Sequence, residues 1–354
     1  MKRTMKKMVS MALTGTMAVA VLAGAGTSEV KAADKAKIGV LVADVSGEEA
    51  QGFRSYYENY IAGNYDVEFN YTDALQSAED EKTAIEKFAS QGCQAIISFS
   101  SNDRVQQIET CEKYGVYYAV ASGVLDDTQY ETYKTYEYFA GQVGPGNDTE
   151  FEAGKDMGAY YKEQGVSKVA IYGAFIPNPM HVYRVAGVLN GLGCTYGGES
   201  DMNAIAGQIF QDQTVDLSKV EGDVEVVSYL QGYGDTTTDE LNAAIQKTPD
   251  AFISVGMATT FFAQSLSEAG ISFSDIDSFT ETNGNSMKNG TLTYLAGKYS
   301  SSIGPVFALV MNAINGNVIR DEDGNAPSIS QGYLVATDSD TFDKYSVSDS
   351  GDAP

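Results

Sequence analysis

The stretch Lys37-Ile-Gly-Val-Leu-Val-Ala-Asp44 decides the fold. Positions 38–43 are an unbroken apolar run, as expected for a strand covered on both faces. Residues 47–62 then change to helical spacing through Phe53, Tyr56, Tyr57, Tyr60 and Ile61. A strand follows over 67–71. Next comes a helix over 77–91, with Ser77 as N-cap and Asp80 and Glu81 near its positive end. Further strands are predicted over 95–99, 116–121 and 138–143. A helix over 103–114 sits among them, stopped by Gly115.

This β-α-β series with short connections predicts a parallel sheet flanked by helices, with right-handed crossovers. Beyond it the pattern repeats. Strands are expected over 168–172, 224–230, 251–255, 276–279, 291–294 and 332–336. Helices are expected over 181–192, 239–246, 259–269 and 305–315. Two such series without a long linker give the fold class: α/β, two Rossmann-like lobes with parallel sheets sharing a hinge. Ligands bind outside the carboxyl ends of strands in open α/β sheets. Two facing sheets therefore define a cleft that closes about its hinge.

The N-terminus reads as an export leader. Lys2, Arg3, Lys6 and Lys7 precede an apolar, small-residue run over 8–26, and Val30-Lys31-Ala32 offers a cleavage site. The leader is taken as 1–32, with retention as an anchor as the alternative. No later segment is long and apolar enough to span a bilayer, so the mature chain is not expected to be membrane-spanning. An exported chain is secreted or extracytoplasmic.

The chain carries 23 Lys+Arg against 48 Asp+Glu, a formal charge of −25. A surface this acidic repels phosphate backbones, which argues against nucleic acid as a partner. Cys93, Cys111 and Cys194 form an odd set without zinc spacing and read as buried small apolar residues. No metal and no cofactor is expected. With one histidine, His181, a Ser-His-Asp site is improbable, and a secreted enzyme is the weaker reading.

Several phrases together resemble the type 1 periplasmic binding proteins, the ribose-binding-protein-like family of solute-binding components of ABC importers. They are KIGVLVAD, Gly144-Pro-Gly-Asn147-Asp148 with Gly154, VAIYG with Arg184-Val-Ala-Gly187, AFISVGMATTFFAQSLSEAG, and Gly304 in SSSIGPVFALVMNAING. The resemblance implies a three-segment hinge, with crossings near Gly144, Lys298 and Gln331. It divides the chain into 33–143 plus 299–330 and 144–298 plus 331–354. It implies delivery of a small polar ligand, foremost a sugar, to an importer permease. A sensory binding protein and a nucleoside or other small-solute binder share these features. The chain departs from the family after its first strand, where Asp44-Val-Ser46-Gly-Glu48-Glu49 stands, and at Gly256-Met257. It also lacks Trp.

The candidate ligand residues lie at predicted strand ends. Arg184 could fork onto hydroxyls or a carboxylate, or pair with a neighbouring acid. Phe175 could stack on a ligand, and His181 is a contact or a satisfied structural histidine. Ser46, Glu48, Ser101 and Ser122 follow first-lobe strands. Asn147 and Asp148 match the family's hinge pair, with Asp148 expected to face Arg184 across the ligand. Met257, Glu281, Asn283 and Lys298 complete the set. Asn283 could equally belong to a turn before Gly284.

Overall fold

In this computed structural model, residues 35–348 are described, and the leader expected over 1–32 lies outside them. The chain begins with β1 (Ala36–Leu41), then α1 (Glu48–Ser55), a π-helical turn (Tyr56–Ile61) and a short α2 (Ala62–Asn64). There follow β2 (Val67–Tyr71), α3 (Ala78–Ser90), β3 (Ala95–Ser98), α4 (Arg104–Tyr114), β4 (Tyr117–Ala121), α5 (Asp127–Tyr133) and β5 (Phe139–Gly144). The second half opens with α6 (Asn147–Glu163), β6 (Lys168–Tyr172), α7 (Pro179–Gly191), β7 (Thr195–Tyr196), α8 (Met202–Asp212), β8 (Val220–Glu221) and β9 (Glu225–Leu230). It continues through α9 (Asp235–Gln246), β10 (Ala251–Ser254), α10 (Ala258–Ala269), β11 (Ser272–Ser278), α11 (Glu281–Lys288) and β12 (Leu292–Lys298). Last come α12 (Gly304–Ile314), β13 (Ser328–Ser330), β14 (Leu334–Ala336) and α13 (Ser339–Ser348).

Twelve of the strands form two six-stranded sheets, ordered β2-β1-β3-β4-β5-β13 and β9-β6-β10-β11-β12-β14, and β7 pairs antiparallel with β8 apart from them. The first is parallel throughout, and the second is parallel except for β14, which runs against β12. The chain leaves the first sheet after β5, returns after β12 and leaves again between β13 and β14. These three passages lie near Gly144, Lys298 and Gln331, where the crossings were expected.

The apolar runs work as strands because each face finds a helical layer. Ile38, Ile97, Ala119 and Ala121 pack with Phe53 and Tyr57 and with Val306 and Val310 of α12. Leu41, Ile96, Tyr118 and Val120 face the other way, onto Ile85, Phe88, Ile108 and Cys111. All three cysteines are buried free thiols, as expected. The caps also hold: Ser77 accepts from Asp80 N, and Gly115 ends α4 at φ 65°.

Some elements differ from the sequence reading. α6 was not expected as a helix, and neither was α13 in the acidic tail, where Phe342 is buried against Phe279. α6 packs on α7 almost backbone to backbone. A Cβ on Gly154 would lie 2.0 Å from Arg184 O, and one on Gly158 2.4 Å from Val188 O. On the facing helix, a Cβ on Gly187 would lie 2.0 Å from Phe151 O and one on Gly191 2.0 Å from Lys155 O. Two glycines spaced by four on each helix make one smooth stripe per partner.

Candidate functional site

The carboxyl ends of both sheets meet at the crossings. Gly144 ends β5 against the β4–α5 loop, where a Cβ would fall 2.0 Å from Gly123 N. Only glycine fits there, and the contact holds Ser122 beside the crossing. Gln331, between β13 and β14, donates its backbone N–H to Gly144 O (3.2 Å) and its side-chain amide to Ser302 O (2.7 Å).

Glycine packing of α6 on α7 brings Glu150, one turn before Gly154, against Arg184. Arg184 Nε donates to Glu150 Oε2 at 2.7 Å, Nη2 to Tyr333 OH at 2.6 Å and Nη1 to Val255 O at 2.8 Å. Tyr333 OH in turn donates to Glu150, 2.9 Å from Oε2. Arg184 and Glu150 are only 5% and 4% exposed in their side chains, so this is a buried ion pair. Burial alone would lower the guanidinium's pKa, but the Glu150 charge and the Tyr333 bond carry it upward instead. Of the two jobs left open by its sequence, the structure shows Arg184 pairing with an acid; these bonds leave one Nη1 hydrogen unused. The acid is Glu150. Asp148, expected opposite Arg184, is exposed at the start of α6, two residues away and on another face; Asn147 is exposed beside it.

His181 is 5% exposed. Its Nδ1 lies within hydrogen-bond distance of both Phe175 N (3.2 Å) and Phe175 O (3.1 Å), and the ring tautomer decides which of the two is bonded. Burial, and then the Arg184 charge, push its pKa down to about 4, so the ring is neutral near pH 7. A Cβ on Gly256 would meet Arg184 Nη1 at 3.5 Å and His181 Nε2 at 3.8 Å, ordinary van der Waals distances, so sterics do not explain the departure at Gly256-Met257. Met257 itself is 37% exposed in the left-handed region at φ 69°, starting α10.

Lys298, at the end of β12, reaches back across the lobes. Its Nζ stands 3.5 Å from Ser122 Oγ and 5.1 Å from the Tyr333 ring centre. Burial lowers its pKa, opposed by the charges of Glu49 and Glu150. Asp277 lies in the same field; burial and then Glu49 raise its pKa to about 6. Two contacts close the lobes at this edge. Ser278 Oγ donates to Glu49, and Thr282 Oγ1 donates to Glu48. Glu281 lines the same small cavity of about 170 Å³, with Lys298 and Phe53. Asn283 is buried and donates to Ser278 O at 2.8 Å, which makes it a support for this edge.

A second cavity, of about 220 Å³, opens beneath α1 between Phe53, Tyr57, Tyr71 and Phe99 and reaches Ser122. Ser46 is exposed and bonded to Asp44, and Ser101 is exposed. The structure brings neither to these cavities. Glu49, Glu150, Asp277, Tyr333 and Phe53 were not expected. Only Glu150 had a visible signal, standing four residues before Gly154 and eight before Gly158. Among the described residues, no group of three or more His, Cys, Asp or Glu side chains could hold a metal. Nor is any helix among them long and apolar enough to cross a membrane.

Two like sheets, three crossings and a charged cleft between strand ends define the type 1 periplasmic-binding-protein fold. Solved structures agree. The periplasmic binding component of an arabinose ABC transporter from Shewanella sp. ANA-3, bound to α- and β-L-arabinofuranose, matches with a TM-score of 0.63 and 16% identity, over 88% of this chain and 95% of its own. An ABC transporter solute-binding protein from Bacillus halodurans C-125 with bound myo-inositol matches at 0.64 and 16%, over 89% and 99%. One from Actinobacillus succinogenes 130z with bound D-allose matches at 0.66 and 16%, over 88% and 100%. No family model matches the sequence, and no curated protein does.

Proposed function

We propose that the chain is an extracytoplasmic solute-binding protein that clasps one small, hydroxylated ligand between its lobes and delivers it to the permease of an ABC-type importer. One observation carries this reading: the carboxyl ends of two like sheets meet around a cleft that Glu48 and Glu49 bridge to Thr282 and Ser278. Donors and acceptors alternate there. Lys298 and Arg184 offer hydrogens, while Glu49 and Asp277 offer lone pairs. Each sugar hydroxyl both donates and accepts, so such a lining suits a polyol. The arabinofuranose, inositol and allose held by the structural neighbours support the same ligand class.

The proposed contacts are Ser122, Phe175, His181, Arg184, Glu281 and Lys298, joined by Glu49 and Asp277, with Glu48 as part of the latch. The moving bodies are 33–143 with 299–330, and 144–298 with 331–354. A leader over 1–32 accounts for export. The chain is a carrier and no catalyst in this reading.

A thermal-shift screen of the exported chain against sugars, nucleosides and amino acids tests the reading. A hydroxylated ring compound should raise the melting temperature, since ligand at 100 times its Kd adds about 2.7 kcal/mol. In calorimetry, Lys298→Met should weaken that ligand by roughly tenfold or more, the loss of one charged hydrogen bond. A response to amino acids alone, or full affinity in the variant, would overturn it.

A further inference from the structure

We propose that the cavity beneath α1 is a second compartment of the ligand site, taking a planar, mostly apolar ring attached to the hydroxylated part held in the cleft. This rests on the binding-protein reading and narrows its ligand to a sugar bearing such a ring.

The two compartments are continuous. Glu49 and Phe53 line both cavities, and Ser122 of the first meets Lys298 of the second. The volume fits a ring: the cavity holds about 220 Å³, whereas an apolar cavity of ~150 Å³ suffices for benzene. Its apolar walls are Val42, Ala50, Phe53, Tyr57, Tyr71 and Phe99; Glu49 and Ser122 stand at the side shared with the cleft, and the Arg54 guanidinium lies over the Tyr71 ring at 4.5 Å, paired with Glu58. These rings are fixed from behind. Phe53 stacks on Phe99 at 5.3 Å, and Tyr57 on Phe69 at 4.7 Å. The π-helical turn at Tyr56–Ile61 carries Tyr57, a device frequent at functional sites.

The polar atoms here do not suit a polyol. Tyr57 spends its hydroxyl on Ile303 O at 3.1 Å, and the Asp44 carboxylate is committed to Ser46 and Gly47. Thr72 Oγ1 accepts from Val42 N. The Tyr71 hydroxyl is buried without a hydrogen-bond partner. Each sugar hydroxyl placed against these walls would lose its water for little return. A flat ring loses nothing there, gains stacking on Phe53 and Phe99, and with one polar substituent could meet Tyr71. Nucleosides and aryl glycosides share this chemistry of a sugar with a planar ring at its anomeric carbon.

The experiment is calorimetry and thermal shift on the exported chain with phenol alone, with methyl and phenyl glycosides of one sugar, and with adenosine and uridine. Phenol should raise the melting temperature, and the phenyl glycoside should bind at least ~30-fold tighter than the methyl one, about 2 kcal/mol for a buried ring. Tight nucleosides with a weak phenyl glycoside would identify the ring as a nucleobase; the converse would identify an aryl group. Ala50→Leu, which fills the cavity, should bring the phenyl-to-methyl ratio near one. Tyr71→Phe, nearly isosteric, should abolish any preference for phenol over benzene and serves if Ala50→Leu does not fold. Equal affinity for the two glycosides, or no response to phenol, overturns the proposal. If phenol binds in a manner sensitive to Ala50→Leu while no sugar compound binds, the compartment stands and the sugar reading falls.

Discussion

The two lobes end their third strands with the same device and complete it differently. β3 runs Ala95-Ile-Ile-Ser98-Phe-Ser100 and β10 runs Ala251-Phe-Ile-Ser254-Val-Gly256. Ser98 Oγ donates to Ser100 O (3.1 Å) and accepts from Ser100 N (3.2 Å). Ser254 Oγ does the same with Gly256, at 3.2 Å and 3.1 Å. Each tight loop is then tied to a fully buried carboxylate. In the first lobe Glu81 comes from α3. It accepts from Ser100 Oγ, from Asn102 N and Asp103 N (both 2.9 Å) and from Asn102 Nδ2 (3.0 Å). In the second lobe Asp275 comes from the neighbouring strand. It meets Ser254 Oγ at 3.1 Å and Thr259 N at 2.9 Å.

The number of donors decides the charge. Burial works to raise the pKa of both acids. For Glu81 the bonds from Ser100, Gln107, Asn102 and Asp103 outweigh it, and the pKa falls. For Asp275 burial wins, helped by the charge of Asp277, and the pKa rises to about 8. A neutral Asp275 also resolves the hydrogen count. Ser254 Oγ has one hydrogen; if it goes to Gly256 O, a protonated Asp275 supplies the hydrogen between the two side chains. The same loop is thus held by an anion in one lobe and a neutral acid in the other.

Isosteric amides should break the symmetry of this comparison. Glu81→Gln puts an NH2 group where a carboxylate accepted backbone and side-chain hydrogens. It should cost about 3 kcal/mol in urea unfolding, the scale of a disrupted buried charged network; a loss under about 1 kcal/mol would deny Glu81 its role. Asp275→Asn should do the opposite at pH 8, stabilising by roughly 1–2 kcal/mol, because the amide never has to ionise in the core. The sign follows from proton counting. Asp275 binds its proton more tightly when folded, so its contribution is complete below the ordinary carboxylate range and is lost as pH rises toward about 8. Glu81, with its lowered pKa, loses its contribution as pH falls through the acid range. Melting curves from pH 5 to 8 should therefore be flatter in Asp275→Asn than in wild type; parallel curves would mean that Asp275 is already ionised. The smallest effect belongs to the serines. Ser98→Ala and Ser254→Ala should each cost about 1 kcal/mol, and only the second should vary with pH.

Much of this architecture was legible because continuous apolar runs such as 38–43 and 95–99 mark strands covered on both faces. α6 escaped because part of its buried face is bare backbone at Gly154 and Gly158, which leaves a faint apolar period. Around the cleft, the positions of Ser122 after β4, of His181 and Arg184 on the helix after β6, and of Lys298 at a crossing were legible from the strand–loop–helix order. Glu150 and Tyr333 were not, since the triad joins positions 150, 184 and 333 through contacts that no local pattern carries. The same holds for Glu49 and Asp277, which meet only when the lobes do. Asp148 was misplaced by a phrase match that fixes the start of a helix but not which of its faces turns inward.

The glycine contacts between α6 and α7 set a mechanical condition on closure. Most helix interfaces are cushioned by side chains that can change rotamer as the axes shift. Where Gly154 meets Arg184 O and Gly187 meets Phe151 O there is no such cushion. Neither helix can roll or slide against the other without backbone collision. The first helix after the crossing at Gly144 is thus keyed to the helix that carries Arg184 and His181. Rotation applied at that crossing reaches those two side chains undiminished, like a lever with no play at its joint. If the lobes close as proposed, the movement falls to the short passages at 144–146, 298–300 and 331–333.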